Sequence, residues 1–134
     1  MKPSKLLFAA LALLACSACE KPPGPGGRAT VKGKVYVKDY DKYATYKIDE
    51  YYAPGEKVYI VYGNQDVTGN DVRTKDDGSF EFLYLNKGHY KVFVESRDTS
   101  IHMGSVDKTI PLSVEFDITD VREVKDLGTI VICK

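Results

Sequence analysis

There is no tryptophan in this chain, and its 134 residues include only two histidines and three cysteines. A zinc centre needs several imidazole or thiolate ligands, and a histidine-based catalytic centre needs its base beside a nucleophile. His89 and His102 leave little material for either. Charge of one sign is also missing: 19 Lys and Arg balance 19 Asp and Glu. Without a basic surplus, no nucleic-acid partner is expected. Long apolar runs are absent too. The longest, Leu6 to Ala15, holds ten residues, about 15 Å of helix against about 30 Å of bilayer hydrocarbon. It is too short to cross a membrane. Beyond it, no window shows a 3.6-residue apolar stripe, so no helix is expected in the folded part. What remains is a hydrophobic content of 43%, enough for a core, and ten tyrosines.

The short apolar run follows Lys2 and Lys5 and ends in Leu13-Leu14-Ala15-Cys16. Positive charge, a short apolar stretch and then small residues are the order of a secretory signal. The last four residues resemble a bacterial lipobox: Leu, an apolar residue, a small residue, then Cys. Leu14 is bulkier than the usual second residue. The resemblance implies cleavage before Cys16 and acylation of its thiol. Cys16-Ser17-Ala18-Cys19 is a second, poorer fit. Acyl chains would hold the protein on a membrane, each buried CH₂ contributing about 0.8 kcal/mol. Cleavage removes Lys2 and Lys5 and leaves a net charge of −2, so lipid and not charge would do the anchoring. The expected location is the bacterial cell envelope, at the outer membrane, on its periplasmic or outward face. Six of the eight residues from Glu20 to Gly27 are Pro or Gly, which reads as a flexible tether. The expected organisation is a signal over 1–15, a lipidated Cys and tether over 16–28, and one domain over 29–134.

The domain reads as strands. Val31 to Val37 alternates, with Val31, Gly33, Val35 and Val37 on one face and Lys32, Lys34 and Tyr36 on the other. Lys57 to Tyr62 is apolar on both faces and reads as central. Phe80–Leu85, Tyr90–Glu95, Thr109–Ile118 and Thr129–Cys133 are further strands, with a short one near Asp71 to Thr74. Pro54-Gly55, Lys75-Asp76-Asp77-Gly78 and Asn86-Lys87-Gly88 supply turns. About seven short strands joined this way predict an all-β, antiparallel Greek-key sandwich.

Val31-Lys32-Gly33-Lys34-Val35 resembles the opening G-x-V strand of carboxypeptidase regulatory-like domains. Pro54 to Val58 is similar to their second-strand entry. Thr74 to Phe82 resembles their T-x-x-D-G-x-F hairpin, and Leu85 to Val92 their L-x-x-G-x-Y-x-V step. The resemblance spans about Val31 to Val94 and implies a transthyretin-like (prealbumin-like) sandwich. It does not imply a function, because such domains accompany many. Related adhesin domains carry a Lys–Asn crosslink. Lys38 stands near the lysine position, but the last strand has no Asn, so no crosslink is expected.

No catalytic chemistry is expected. His89 follows a turn glycine, and His102 lies in Ser100 to Ser105. The acidic pairs Asp39/Asp41, Asp49/Glu50 and Asp76/Asp77 fall in turns or polar stretches. Asn64 to Asp71 has oxygen ligands at alternate positions, as a Ca²⁺ loop would, but reads more simply as a turn. No metal or other cofactor is expected. After lipidation of Cys16, Cys19 and Cys133 are left either to pair or to stay free thiols.

The tyrosine surplus is local. Tyr40, Tyr43, Tyr46, Tyr51 and Tyr52 fall within Asp39–Ala53. Exposed, they would offer flat apolar faces with hydroxyls, suited to stacking on sugars or meeting a protein. Packed on the sandwich flank, they would be an extra hairpin without a role of their own. The expected function is a lipid-anchored, non-catalytic binding or structural module of the envelope, meeting an envelope protein or a glycan. Its alternatives are a carbohydrate-binding accessory protein using the tyrosine loop, or an enzyme of unrecognised type.

Overall fold

The computed structural model describes residues 19–100 and 108–134. The proposed signal and Cys16, and also His102, lie outside the described residues. Eight strands form two four-stranded sheets: β1 Pro25–Tyr40, β2 Lys47–Tyr52, β3 Lys57–Tyr62, β4 Asn70–Arg73, β5 Ser79–Leu85, β6 Gly88–Arg97, β7 Thr109–Ile118 and β8 Val124–Cys133. No helix occurs among the described residues. The all-β sandwich expected from period-two patterning is the fold observed.

β1 organises the first sheet. On one edge it pairs antiparallel with β5 from Pro25 to Lys34 and then with β2 from Tyr36 to Tyr40. Val35 is the hand-over point: its N–H donates to the Gly78 carbonyl, and its own carbonyl accepts from the Ala53 N–H, both at 2.9 Å. Along the other edge β1 pairs with β8 in parallel, Thr30 opposite Val124 and Lys38 opposite Cys133. The second sheet runs β4-β3-β6-β7 and is antiparallel throughout.

The core lies between the sheets. Val31, Val35, Val37, Phe80, Phe82, Ile130 and Ile132 face Val58, Ile60, Tyr90, Val92, Val94, Phe116 and Ile118. These are the residues that alternation assigns inward. Two bulges interrupt the alternation. Tyr84 takes φ 61° and adds one residue to β5, which brings Leu85 back into the core. Gly128 does the same in β8, where its N–H donates to the Asp126 carboxylate at 2.8 Å.

Three features differ from the sequence expectation. One pairing, β1 with β8, is parallel, because the last strand returns along the free edge of the first. Among the described residues there are eight strands, one more than the seven segments read from the sequence, because Asp39–Ala53 folds back as the hairpin arm β2. And the Pro/Gly stretch assigned to a tether over 16–28 is docked from Pro22 onward. The Gly24 N–H donates to the buried Tyr90 hydroxyl at 2.8 Å, and the Asn86 amide donates to the Pro22 and Pro25 carbonyls at 3.2 and 3.1 Å. Pro23 sits against Gly88, where a Cβ would lie 2.4 Å from its ring. Local composition argues for an unstructured stretch. The partners that order it stand more than sixty residues away in sequence.

Cys19 and Cys133 are both free thiols. Cys133 stands opposite Lys38 near the end of β1, whereas Cys19 lies beside Gly26, Gly27 and Arg28 at its beginning. The length of β1 separates them, so they do not pair.

Candidate functional site

The tyrosine-rich segment is built as an arm. β1 runs past the sandwich body and turns back as β2, with Tyr36 opposite Tyr52, Val37 opposite Tyr51, Lys38 opposite Glu50 and Asp39 opposite Asp49. Every residue of β2 is exposed. Opposed residues of a pair share a face, so the five candidate tyrosines do not form one patch.

Tyr52 lies on the outer face of the first sheet, 46% exposed. There it meets Tyr36, which sequence reasoning put outward but did not count as a candidate. The two rings stand edge to face, 5.1 Å apart at 77°. The Lys34 ammonium lies 5.0 Å above the Tyr52 ring. Val131, opposite Tyr36 on β8, extends the apolar strip. Glu50 lies one step further along, opposite Lys38, and pairs with Lys47 at 2.7 Å. Burial and then the Glu50 carboxylate hold the Tyr36 hydroxyl above its ordinary pKa. The outcome is a flat surface: two aromatic rings, a flanking ammonium and a carboxylate.

Tyr40 shares the outward alternation and is half-buried at the neck of the arm. Tyr51 points to the opposite face of the arm, opposite Val37. Tyr43 and Tyr46 stand at the tip, 56% and 65% exposed. Asp41 builds that tip. Its carboxylate accepts from the Thr45 hydroxyl and N–H at 2.5 Å each and from the Tyr46 N–H at 3.0 Å. The Thr45 hydroxyl foremost, then these N–H groups, hold its pKa below the usual carboxylate value. Arg97 at the end of β6 donates to the Asp41 carbonyl at 2.9 Å and to the Lys42 carbonyl. The tip is therefore fastened to the second sheet, and its rings are presented on an ordered turn.

The remaining candidates fare differently. His89 sits on the outer face of the second sheet with Asp117 opposite. Nδ1 lies 2.8 Å from the Asp117 carboxylate, and Nε2 lies 3.7 Å from Glu115. The histidine has acids beside it, but no hydroxyl or thiol is hydrogen-bonded to its ring among the described residues. Asn64 to Asp71 covers the link from β3 to β4 and the first two residues of β4: the Gln65 N–H donates to the Tyr62 carbonyl, the Gly69 N–H donates to the Ile60 carbonyl, and Asn70 and Asp71 pair with Ile60 and Tyr59. Asp77 and Asp98 cap Ser79 and Ser100. No group of three metal-ligating side chains occurs among the described residues.

No family model matches the sequence, and no curated protein does. Solved structures similar in shape include a candidate carbohydrate-binding protein from Pseudomonas aeruginosa, at a TM-score of 0.47 and 14% identity over 84% of this chain and 92% of that one. An (S)-allantoin synthase aligns at a TM-score of 0.46 and 14% identity over 98% of this chain. This chain spans about half of that enzyme's length, 52%. Both likenesses are too distant to bear on function.

Proposed function

We propose that this protein is a lipid-anchored, non-catalytic binding module of the bacterial cell envelope, and that the outer face around Tyr36 and Tyr52 takes a glycan chain. The observation that carries the reading is the paired, half-open aromatic surface itself. Tyr52 keeps 46% of its surface in water although it packs on Tyr36. A sugar ring laid on it removes apolar area from water on both partners. The tyrosine hydroxyls and Glu50 stand at the margin to meet sugar hydroxyls, and Lys34, whose ammonium lies over the Tyr52 ring, moves aside to let a sugar reach it. The rings need little ordering on binding, because Tyr36 is held by its strand and Tyr52 by its partner.

Anchoring comes from the sequence, through Cys16 and the run before it. The glycan reading is tested by binding of the purified protein to envelope polysaccharides on an array. Tyr52→Ala should weaken binding about tenfold, the worth of one lost ring contact, while Tyr51→Ala, on the other face of the arm, should leave it unchanged. Equal loss in both variants, or no glycan bound by the unaltered protein, overturns the reading. Mass spectrometry of the mature N-terminus checks the anchor, which an unmodified Cys16 would refute.

A further inference from the structure

The second sheet carries a feature of its own, on the side of the molecule away from the tyrosine face. Tyr59 of β3 and Phe93 of β6 are directly opposed, and their rings stack at 4.8 Å and 14°. Beside them lies a hollow of about 360 Å³ on the outer face of the sheet, within the range of about 300–1,000 Å³ usual for small-ligand pockets. Val61 and Phe93 give it an apolar floor, and Gln65, Asp66, Lys91, Glu95 and Ser113 stand around them.

Two properties limit the occupant. Phe93 is opposed on β7 by Ser113, a side chain too short to cover an aromatic ring. And the side chains of Gln65, Lys91, Glu95 and Ser113 make no hydrogen bond or ion pair with other described residues. The rim therefore offers one ammonium, two carboxylates (Glu95 and Asp66), an amide and a hydroxyl around an apolar floor. Donors and acceptors are mixed, so a strongly charged ligand would meet a repelling group whichever its sign. A flat aromatic ligand would use the floor and strand the rim. A compact saturated ring with hydroxyls at its edge uses both.

We propose that this hollow is a binding site for a single neutral sugar ring, stacked by its C–H face on Phe93 and hydrogen-bonded at its edge by Gln65, Lys91, Glu95 and Ser113. The site lies on a different sheet from the tyrosine face and does not depend on that face binding anything. A molecule with both sites joins two glycan elements across its thickness.

The test is a titration of the uniformly ¹⁵N-labelled full chain, in detergent, with glucose, galactose, mannose and N-acetylglucosamine in turn. At least one sugar should give saturable amide shifts centred on Phe93, Lys91 and Ser113. Phe93→Ala should weaken that binding at least about tenfold, and Gln65→Ala, an exposed change that leaves the core untouched, should weaken it severalfold. Tyr52→Ala should leave it unaltered, which separates failure here from failure of the tyrosine face. The proposal is overturned if no sugar gives saturable shifts. It is equally overturned if both hollow variants bind like the unaltered chain, or if the shifts vanish in Tyr52→Ala and persist in Phe93→Ala.

Discussion

Single side chains decide whether the ends of this sandwich hold together. Tyr90 is fully buried, yet it carries a hydroxyl. That hydroxyl accepts from the Gly24 N–H and donates to the Asn86 carbonyl at 2.7 Å, and burial holds its pKa up. Tyr90→Phe keeps the ring and removes both bonds. It leaves a buried N–H without its partner, so stability should fall by about 1–3 kcal/mol, read from the urea midpoint. Amide exchange at Gly24 and Asn86 should rise with it. Asp41 plays the corresponding part at the arm's tip. Its folded pKa lies below the unfolded value of about 3.9. Its contribution is therefore complete above that value and is lost as pH falls through the folded pKa. Protection of the Thr45 and Tyr46 amides, measured against their intrinsic exchange rates, should fall in acid before that of the core amides. Asp41→Asn should show the same loss of protection at neutral pH.

At the scale of elements, the strap Pro22–Gly24 and the arm β2 are the two additions to an otherwise regular sandwich. Neither is held by a large apolar area: the strap rests on a few hydrogen bonds and one close contact, and the arm on its ladder with β1 and the Arg97 bonds at its tip. Gly88 starts β6 at φ 144° with the Pro23 ring against it. Gly88→Ala sets a methyl into that contact and strains the backbone, so the melting temperature should fall by the equivalent of about 1–3 kcal/mol. Protease cutting near Lys21 should become faster. The arm depends on Arg97 in the same way, and Arg97→Ala should release the tip without unfolding the sheets. Readable from the sequence were the strands themselves: Val31, Val35 and Val37 inward, and Ile110 to Ile118 at spacing two. The strap was not readable. Its prolines and glycines have the composition of a linker, and its bonding partners, Asn86 and Tyr90, look like ordinary turn and core residues. The tyrosine arm was readable as a concentration of aromatic residues. The division of its rings between two faces was not, because it depends on the register with β1.

Across the whole molecule, β1 runs from the strap to the base of the tyrosine tip. Its sixteen residues span roughly 50 Å. Cys19 lies at the strap end, so a membrane anchor just before it would put the tip far from the lipid. A spin label at position 46 should then be out of reach of a bilayer-confined quencher, while one at position 87 should be quenched. Equal quenching at both would mean the domain lies flat. The two candidate glycan faces belong to opposite sheets, so either orientation leaves at least one of them open.

By itself the sequence determined the β class, the inward residues, the turn positions and the aromatic surplus. All of these follow from local chemistry: alternation along a strand, glycine and aspartate at turns, and the count of side chains in a window. Tertiary structure alone decided the parallel return of β8 beside β1, the docking of the strap and the pairing of Tyr36 with Tyr52. It also decided the opening beside Phe93. Each of these joins residues far apart in the chain, and such meetings are set by register and by packing between sheets, which no stretch of sequence contains.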